Sequence, residues 1–349
     1  MTEPGSGMAA DIAEQPDVLA GLLDQGSGPI GEVAARVVDW APRHVVFTAR
    51  GTSDHAALYA AYLTEIRLGV PAGLASPSAI TVYGARPDLR GALVVGVSQS
   101  GGSPDLCEVV RVARERGAHT LAVTNNADSP LAAAAELSVD VRAGHERAVA
   151  ATKTYTAELL ALLMLVEAVR GGGALPAQER ATLAALPGYA ADALADGTST
   201  QLASRYRFAA QIVTTGRGYA YPTARETALK LMETSYLPAL AFSGADLLHG
   251  PLAMADPDVP VLAVVGSGPG GTAMRDVLAR LGERRADVVA IGPSDVDGAP
   301  LRIPTPDVDE RYAPLLDILP LQRLALALAR HRGENPDAPR GLHKVTATL

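Results

Sequence analysis

The sequence predicts an α/β protein made of two tandem, doubly wound parallel-sheet domains, each an αβα sandwich of flavodoxin-like type. Three observations lead there. Apolar runs of about six residues alternate with helical patterns of ten or more, which is the grammar of βαβ units. Strand-turn-helix segments recur at one offset of 167 residues: Gly51 matches Gly218, Ser100 matches Ser267, and the strand at 119–125 matches that at 286–292. The chain has 349 residues, enough for two domains with real cores.

Each element follows in order. Residues 8–40 read as an N-terminal helical segment, giving a first region of 1–40. HVVFTARGTSDHAA (44–57) is a β-branched run, a glycine turn and a helix start. ALVVGVSQSGGSPDL (92–106) and HTLAVTN (119–125) complete the strands of a first domain over 41–170. Arg170-Gly171-Gly172-Gly173 and Pro176 stop a helix and mark the boundary. The second domain, 177–332, repeats the series with IVTTGRGYAYPTA (212–224), PVLAVVGSGPGGTAM (260–274) and ADVVAIG (286–292), and closes on a helix at 315–332. Residues 333–349 lack periodicity and read as an extended tail over the active site.

Composition narrows function. A net charge of −8 lacks the cationic footprint of a nucleic-acid or anionic-membrane binder. No apolar run of about 18 residues is present, and the polar, acidic start is no secretory signal, so a cytoplasmic protein is expected. The single cysteine, Cys107, forms no internal disulfide and reads as a small buried hydrophobe rather than a nucleophile. The seven histidines show no H-x-x-x-H spacing, so neither metal nor other cofactor is expected.

Ligands of doubly wound sheets bind at the carboxyl ends of strands. Two turns there are rich in hydroxyls: Gly51-Thr52-Ser53, and Ser98-Gln99-Ser100-Gly101-Gly102-Ser103. Each opens a helix, so free N–H groups and the positive end of the helix dipole meet the hydroxyls in a neutral phosphate cradle. Ordinary N-capping is the competing reading of each serine. Gly266-Ser267-Gly268-Pro269-Gly270-Gly271 matches G-x-G-x-x-G but does not follow the first strand, so it reads as a helix-start turn without a nucleotide. In the segment 216–254, Glu226, Lys230 and Glu233 share a helix face at spacings of four and three. Among apolar neighbours that face suits a cleft, with Glu233 as a general base. Taken singly, that ion pair and His249 also fit surface roles.

The pattern GRG-xx-YP-xAxE-xALKL-xE-xSY followed by HGPLAM, with GTS at 51–53, SQSG at 98–101, ATK at 151–153 and PRGLHKVT at 339–346, closely resembles the isomerase half of glucosamine-6-phosphate synthase, a tandem SIS (sugar isomerase) domain family. The resemblance spans nearly the whole sequence, in which no glutaminase domain is found. It implies a stand-alone enzyme similar to the SIS-type glucosamine-6-phosphate deaminases. By that resemblance Ser98, Gln99, Ser100 and Ser103 hold the phosphate, Thr52, Ser53 and Ala151 line the sugar site, Glu233 moves a proton between C1 and C2, and Lys230 lies beside it. Glu146 is implied to pair with that lysine, Lys344 to contact the carbonyl end of the sugar, and His249 to open the ring from the partner subunit of a homodimer. Departures from the family pattern are Ala245-Asp246-Leu247-Leu248 before the histidine, Thr227, Met232, Gly102, Ala151 and Ser103.

The expected reaction is isomerising deamination of glucosamine 6-phosphate to fructose 6-phosphate and ammonia. One alternative is dehydration of N-acetylglucosamine 6-phosphate by loss of the C3 hydroxyl, which a less charged pocket suits. Another is a non-catalytic sugar-phosphate sensor, to which Glu233, His249 and Lys344 would be superfluous.

Overall fold

A computed structural model describes residues 3–293 and 298–342. It places ten strands, all paired in parallel, in two five-stranded sheets. The first sheet contains β1 (His44–Thr48), β2 (Ala72–Leu74), β3 (Ala92–Ser98), β4 (His119–Thr124) and β5 (Leu137–Asp140), in the order β2-β1-β3-β4-β5. The second contains β6 (Ile212–Gly216), β7 (Ala239–Ser243), β8 (Pro260–Val264), β9 (Asp287–Gly292) and β10 (Leu301–Pro304), in the order β10-β9-β8-β6-β7. Read from the other edge, this is the first order again. The doubly wound α/β expectation and its internal repeat both hold.

The first unit comprises residues 15–146 and 153–187. Every residue of β3 is buried, as its unbroken apolar run requires in a sheet covered on both faces. Register is set by pairs such as Phe47 with Val95 and Val95 with Leu121. The helix Lys153–Arg170 packs against the helices Gln15–Trp40 and Gly51–Leu63. It is buried from Lys153 to Ala168, so its apolar surface runs all round. Glu167 survives inside it because Arg67 and Arg170 each donate to its carboxylate at 2.6 Å. Burial alone would raise the pKa of that carboxyl; the two guanidinium groups outweigh it and hold it below the usual range.

The second unit comprises the described residues of 3–14, 147–152 and 188–342. The division therefore departs from contiguous blocks: the first helix, Ser6–Ala13, and a short segment at 147–152 belong with the second sheet. The buried carboxylate of Asp11 joins these two pieces, accepting from the Arg147 and Ala148 amides at 2.7 and 3.0 Å and from the Arg147 guanidinium at 2.8 Å, and Met8, Ile12 and Ala148 pack with Leu326 of the second unit. The core here is built by Val213, Val261, Ala263, Met274, Leu278 and Val288, where β6, β8 and β9 meet the helix Pro269–Glu283. The helix Ala313–His331 closes this unit and reaches within two residues of the expected ends.

In each sheet the order reverses at one strand pair, β1/β3 in the first and β6/β8 in the second. Loops leaving these strands diverge to opposite faces and leave a crevice at the carboxyl ends.

Candidate active site residues

The first unit carries the hydroxyl-rich loops at its switch point. After β1, Gly51 takes φ 55°, a left-handed conformation that suits glycine, and opens the helix Gly51–Leu63. No side chain caps that helix start. Thr52 is half-buried, and the buried Ser53 hydroxyl donates to Glu158 at 2.8 Å. Ser53 is thus tied into the packed interior of the unit.

After β3, the loop folds on its own hydroxyls. The Gly101 amide donates to Ser98 Oγ and the Gly102 amide to Ser100 Oγ, both at 3.2 Å. The Gln99 carbonyl accepts from the Asn125 amide at 3.1 Å and from Thr124 Oγ1 at 3.3 Å. Gly101, at φ 62°, has no room for a side chain, because a Cβ there would lie 2.2 Å from Ser129 Oγ. Ser103 is the N-cap of the helix Pro104–Glu115, yet its hydroxyl caps nothing. Ordinary capping therefore does not account for Ser103, and its oxygen is left at the mouth of a helix N-terminus.

Two residues that sequence reasoning did not assign to the site complete this environment. Asp105 sits buried in the first turn of that helix, and Arg50 Nε lies 2.9 Å from its carboxylate. The guanidinium offsets a negative charge that would otherwise repel an anion at the loop. Only the Arg-Gly pair that recurs in the repeat hinted at Arg50. Cys107 lies half-buried on the same helix, where burial pushes its thiol pKa up, so it behaves as a packing residue.

Glu146 and Ala151 flank the start of the long first-unit helix in sequence. Glu146 is buried and accepts from the Lys153 and Thr154 amides at 2.9 and 3.2 Å, which makes it an acidic cap for the helix Lys153–Arg170. Ala151 is buried within the 147–152 segment of the second unit.

The second unit holds the acid-base cluster. After β6, Gly218 takes φ 59° and the helix Ala220–Ser235 begins. Lys230 is fully buried, 3.3 Å from Glu226 and hydrogen-bonded to Glu233. Burial alone would lower the lysine pKa, but the two carboxylates reverse this and hold the ammonium above its ordinary range. The two acids differ in access. Glu226 is completely buried, while the Glu233 side chain is 23% exposed. The expected shared face is therefore real, and Glu226 is an acid in it that was not assigned a role.

Tyr236 caps this helix in a left-handed conformation, φ 50°. Its hydroxyl accepts from the Arg340 amide at 2.6 Å, and the Arg340 guanidinium stacks 3.9 Å from its ring centre. The start of the tail is thereby fastened to the end of the Glu233 helix. Lys344 lies outside the described residues. His249 is exposed and follows the short helix Gly244–Leu248, which Ser243 caps by accepting from the Asp246 amide. Met232 and Leu248, two of the departures from the family pattern, are also exposed. Among the described residues, no group of three or more His, Cys, Asp or Glu is placed to hold a metal, and no helix is long and apolar enough to cross a membrane.

The SIS domain model matches residues 40–168 and 206–300. The chain is 34% identical to the isomerizing glutamine–fructose-6-phosphate aminotransferase of Gloeobacter violaceus, over 97% of this chain and 58% of that protein. It thus spans little more than half the length of that relative. A solved structure from Silicibacter pomeroyi DSS-3, put forward as a phosphosugar isomerase, superposes with a TM-score of 0.87 at 34% identity, covering 95% of this chain and 99% of that one. The C-terminal domain of glucosamine-fructose-6-phosphate aminotransferase from Francisella tularensis gives 0.84 at 26% identity, covering 95% and 98%. Two matches to one domain model, two sheets of one topology and a relative of this identity together show that the chain belongs to the SIS (sugar isomerase) domain enzymes and carries two copies of that domain.

Proposed function

We propose that the chain isomerises an amino-sugar phosphate, with glucosamine 6-phosphate as substrate and fructose 6-phosphate and ammonia as products. The observation that carries this reading is the Glu226–Lys230–Glu233 cluster. It holds one partly exposed carboxylate on a rigid helix, with one of its oxygens pinned by a buried ammonium. The relatives named as fructose-6-phosphate aminotransferases support the substrate class.

The Ser98–Ser103 loop takes the phosphate through Ser100, Ser103 and the amides at the start of the helix Pro104–Glu115, with Thr52 at the neighbouring turn. His249 protonates the ring oxygen, and the open aldehyde at C1 acidifies the C2 hydrogen. Glu233 removes that hydrogen as a general base and returns it to C1. This leaves a ketose imine with C2 doubly bonded to nitrogen. Water adds at C2, nitrogen leaves as ammonia, and fructose 6-phosphate remains. In this reading Lys230 fixes the Glu233 carboxylate, and Lys344 contacts the carbonyl end of the sugar.

The test is ammonia release and ketose formation from glucosamine 6-phosphate. Glu233→Gln is expected to lower kcat by about 10²–10⁴-fold and to leave KM within a few-fold, as loss of a general base does. Absence of both products with the wild-type chain overturns the deaminase reading. An ultraviolet-absorbing unsaturated product from N-acetylglucosamine 6-phosphate would reassign the same Glu233 chemistry to dehydration, with the C3 hydroxyl leaving.

A further inference from the structure

The glycine-rich segment 266–271 has no part in the proposed reaction, and its surroundings are unusual. It leaves β8 at the switch point of the second sheet, where Ser98–Ser103 leaves β3 in the first, and it opens the helix Pro269–Glu283. Its amides are already engaged. The Gly271 amide donates to Glu310 Oε1 at 2.9 Å and the Gly270 amide to Glu310 Oε2 at 3.2 Å, so the carboxylate sits on the helix start with both oxygens.

The glycines are what admit it. A Cβ on Gly268 or Gly270 would lie 2.4 Å from a Glu310 carboxylate oxygen, and one on Gly266 would lie 3.1 Å from Glu310 Cγ. The segment bearing Glu310 is fastened on both sides. Ser267 Oγ donates to the Val308 carbonyl at 3.1 Å, and Thr305 Oγ1 donates to the buried Asp317 at 2.7 Å. In the first unit, among the described residues, the Gly101 and Gly102 amides donate to serine hydroxyls rather than to a carboxylate.

We propose that Gly266–Gly271 is a second oxyanion cradle whose resident ligand is the chain's own Glu310 carboxylate, so that phosphate-class anions enter it only when that side chain is removed. The carboxylate supplies negative charge to the helix dipole and accepts the two amides that a phosphate oxygen would accept. Its tether makes the seating intramolecular, so free phosphate has to displace a bound carboxylate rather than fill an empty loop. The second domain is therefore permanently self-liganded, and phosphate binding is confined to the Ser98–Ser103 loop.

The experiment uses the full chain with ¹⁵N-glycine label, titrated with inorganic phosphate. In the wild type the Gly270 and Gly271 amide signals are expected to stay in place. In Glu310→Ala and in the near-isosteric Glu310→Gln they are expected to shift saturably, with an affinity at this loop at least about tenfold above wild type. The Gln variant keeps the side-chain volume and carries the test if the Ala variant does not fold. A saturable shift of these two amides in the wild type overturns the proposal, as does the absence of a shift in a folded variant.

Discussion

Lys230 shows how much one residue depends on its setting. Its ammonium is buried between two acids, and Glu226 has no access to solvent. Lys230→Met fits the volume but removes the ammonium paired with the buried Glu226 carboxylate. Such losses cost about 3–5 kcal/mol, so urea denaturation should show a drop of that order, with much of it recovered in the Lys230→Met/Glu226→Gln double variant. Asp317 is the opposite case. Burial, with a further contribution from the Glu310 charge, outweighs the Thr305 hydrogen bond and pushes its carboxyl pKa up to about 7 from 3.8. Between about pH 4 and 7 the folded chain keeps a proton that the unfolded chain has released, so Asp317 makes stability fall as pH rises through that window. Asp317→Asn, which can still accept from Thr305, should flatten that decline and raise stability above pH 7 relative to wild type. Thermal melts of the two proteins from pH 5 to 8 check this.

At the scale of elements, the serines of the loop after β3 differ in their bonding. Ser98 and Ser100 accept amides within the loop, whereas Ser103 makes no capping bond. Ser103→Ala should therefore leave the melting temperature within about a degree, since no folded-state hydrogen bond is lost. The same change should raise KM for the sugar phosphate by about tenfold, the value of one hydrogen bond to a charged group. A destabilised protein with unchanged KM would make Ser103 a cap after all. The strands that sequence reading found are the central ones, β1, β3, β4, β6, β8 and β9. It did not find β2, β5, β7 and β10. These are short edge or near-edge strands of three to five residues with mixed burial, and they lack the long apolar run that marks a strand covered on both faces.

At the scale of the molecule, the exposed His249 bears on assembly. We propose that it serves the partner's substrate, as the family resemblance implies, and that the active enzyme is a two-fold homodimer. Complementation measures this. Glu233→Gln and His249→Ala chains, each inactive alone, are mixed, unfolded and refolded together. Hybrid dimers should regain roughly one working site of two, because both substitutions fall in the same composite site and leave the other intact. Hybrids that form but stay inactive place both residues in one chain's site.

Much of this was written in the sequence, because its signals are local. Strand and helix periodicity, the 167-residue repeat and the hydroxyl-rich turns all follow from short-range stereochemistry, and they specified the doubly wound fold and the loop 98–103. The spacing of Glu226, Lys230 and Glu233 likewise put them on one face before any packing was known. Which of the two acids is exposed was not legible, since burial is set by what packs against the helix. Neither was the pairing of Arg50 with Asp105, 55 residues apart, nor the stacking of Arg340 on Tyr236, nor the seating of Glu310 on Gly270 and Gly271. The same holds for the return of residues 147–152 to the second unit, where Asp11 accepts from the Arg147 amide and Ala148 packs with Leu326. Each of these joins charges or donors distant in the chain, and only the tertiary structure brings such groups within hydrogen-bonding range.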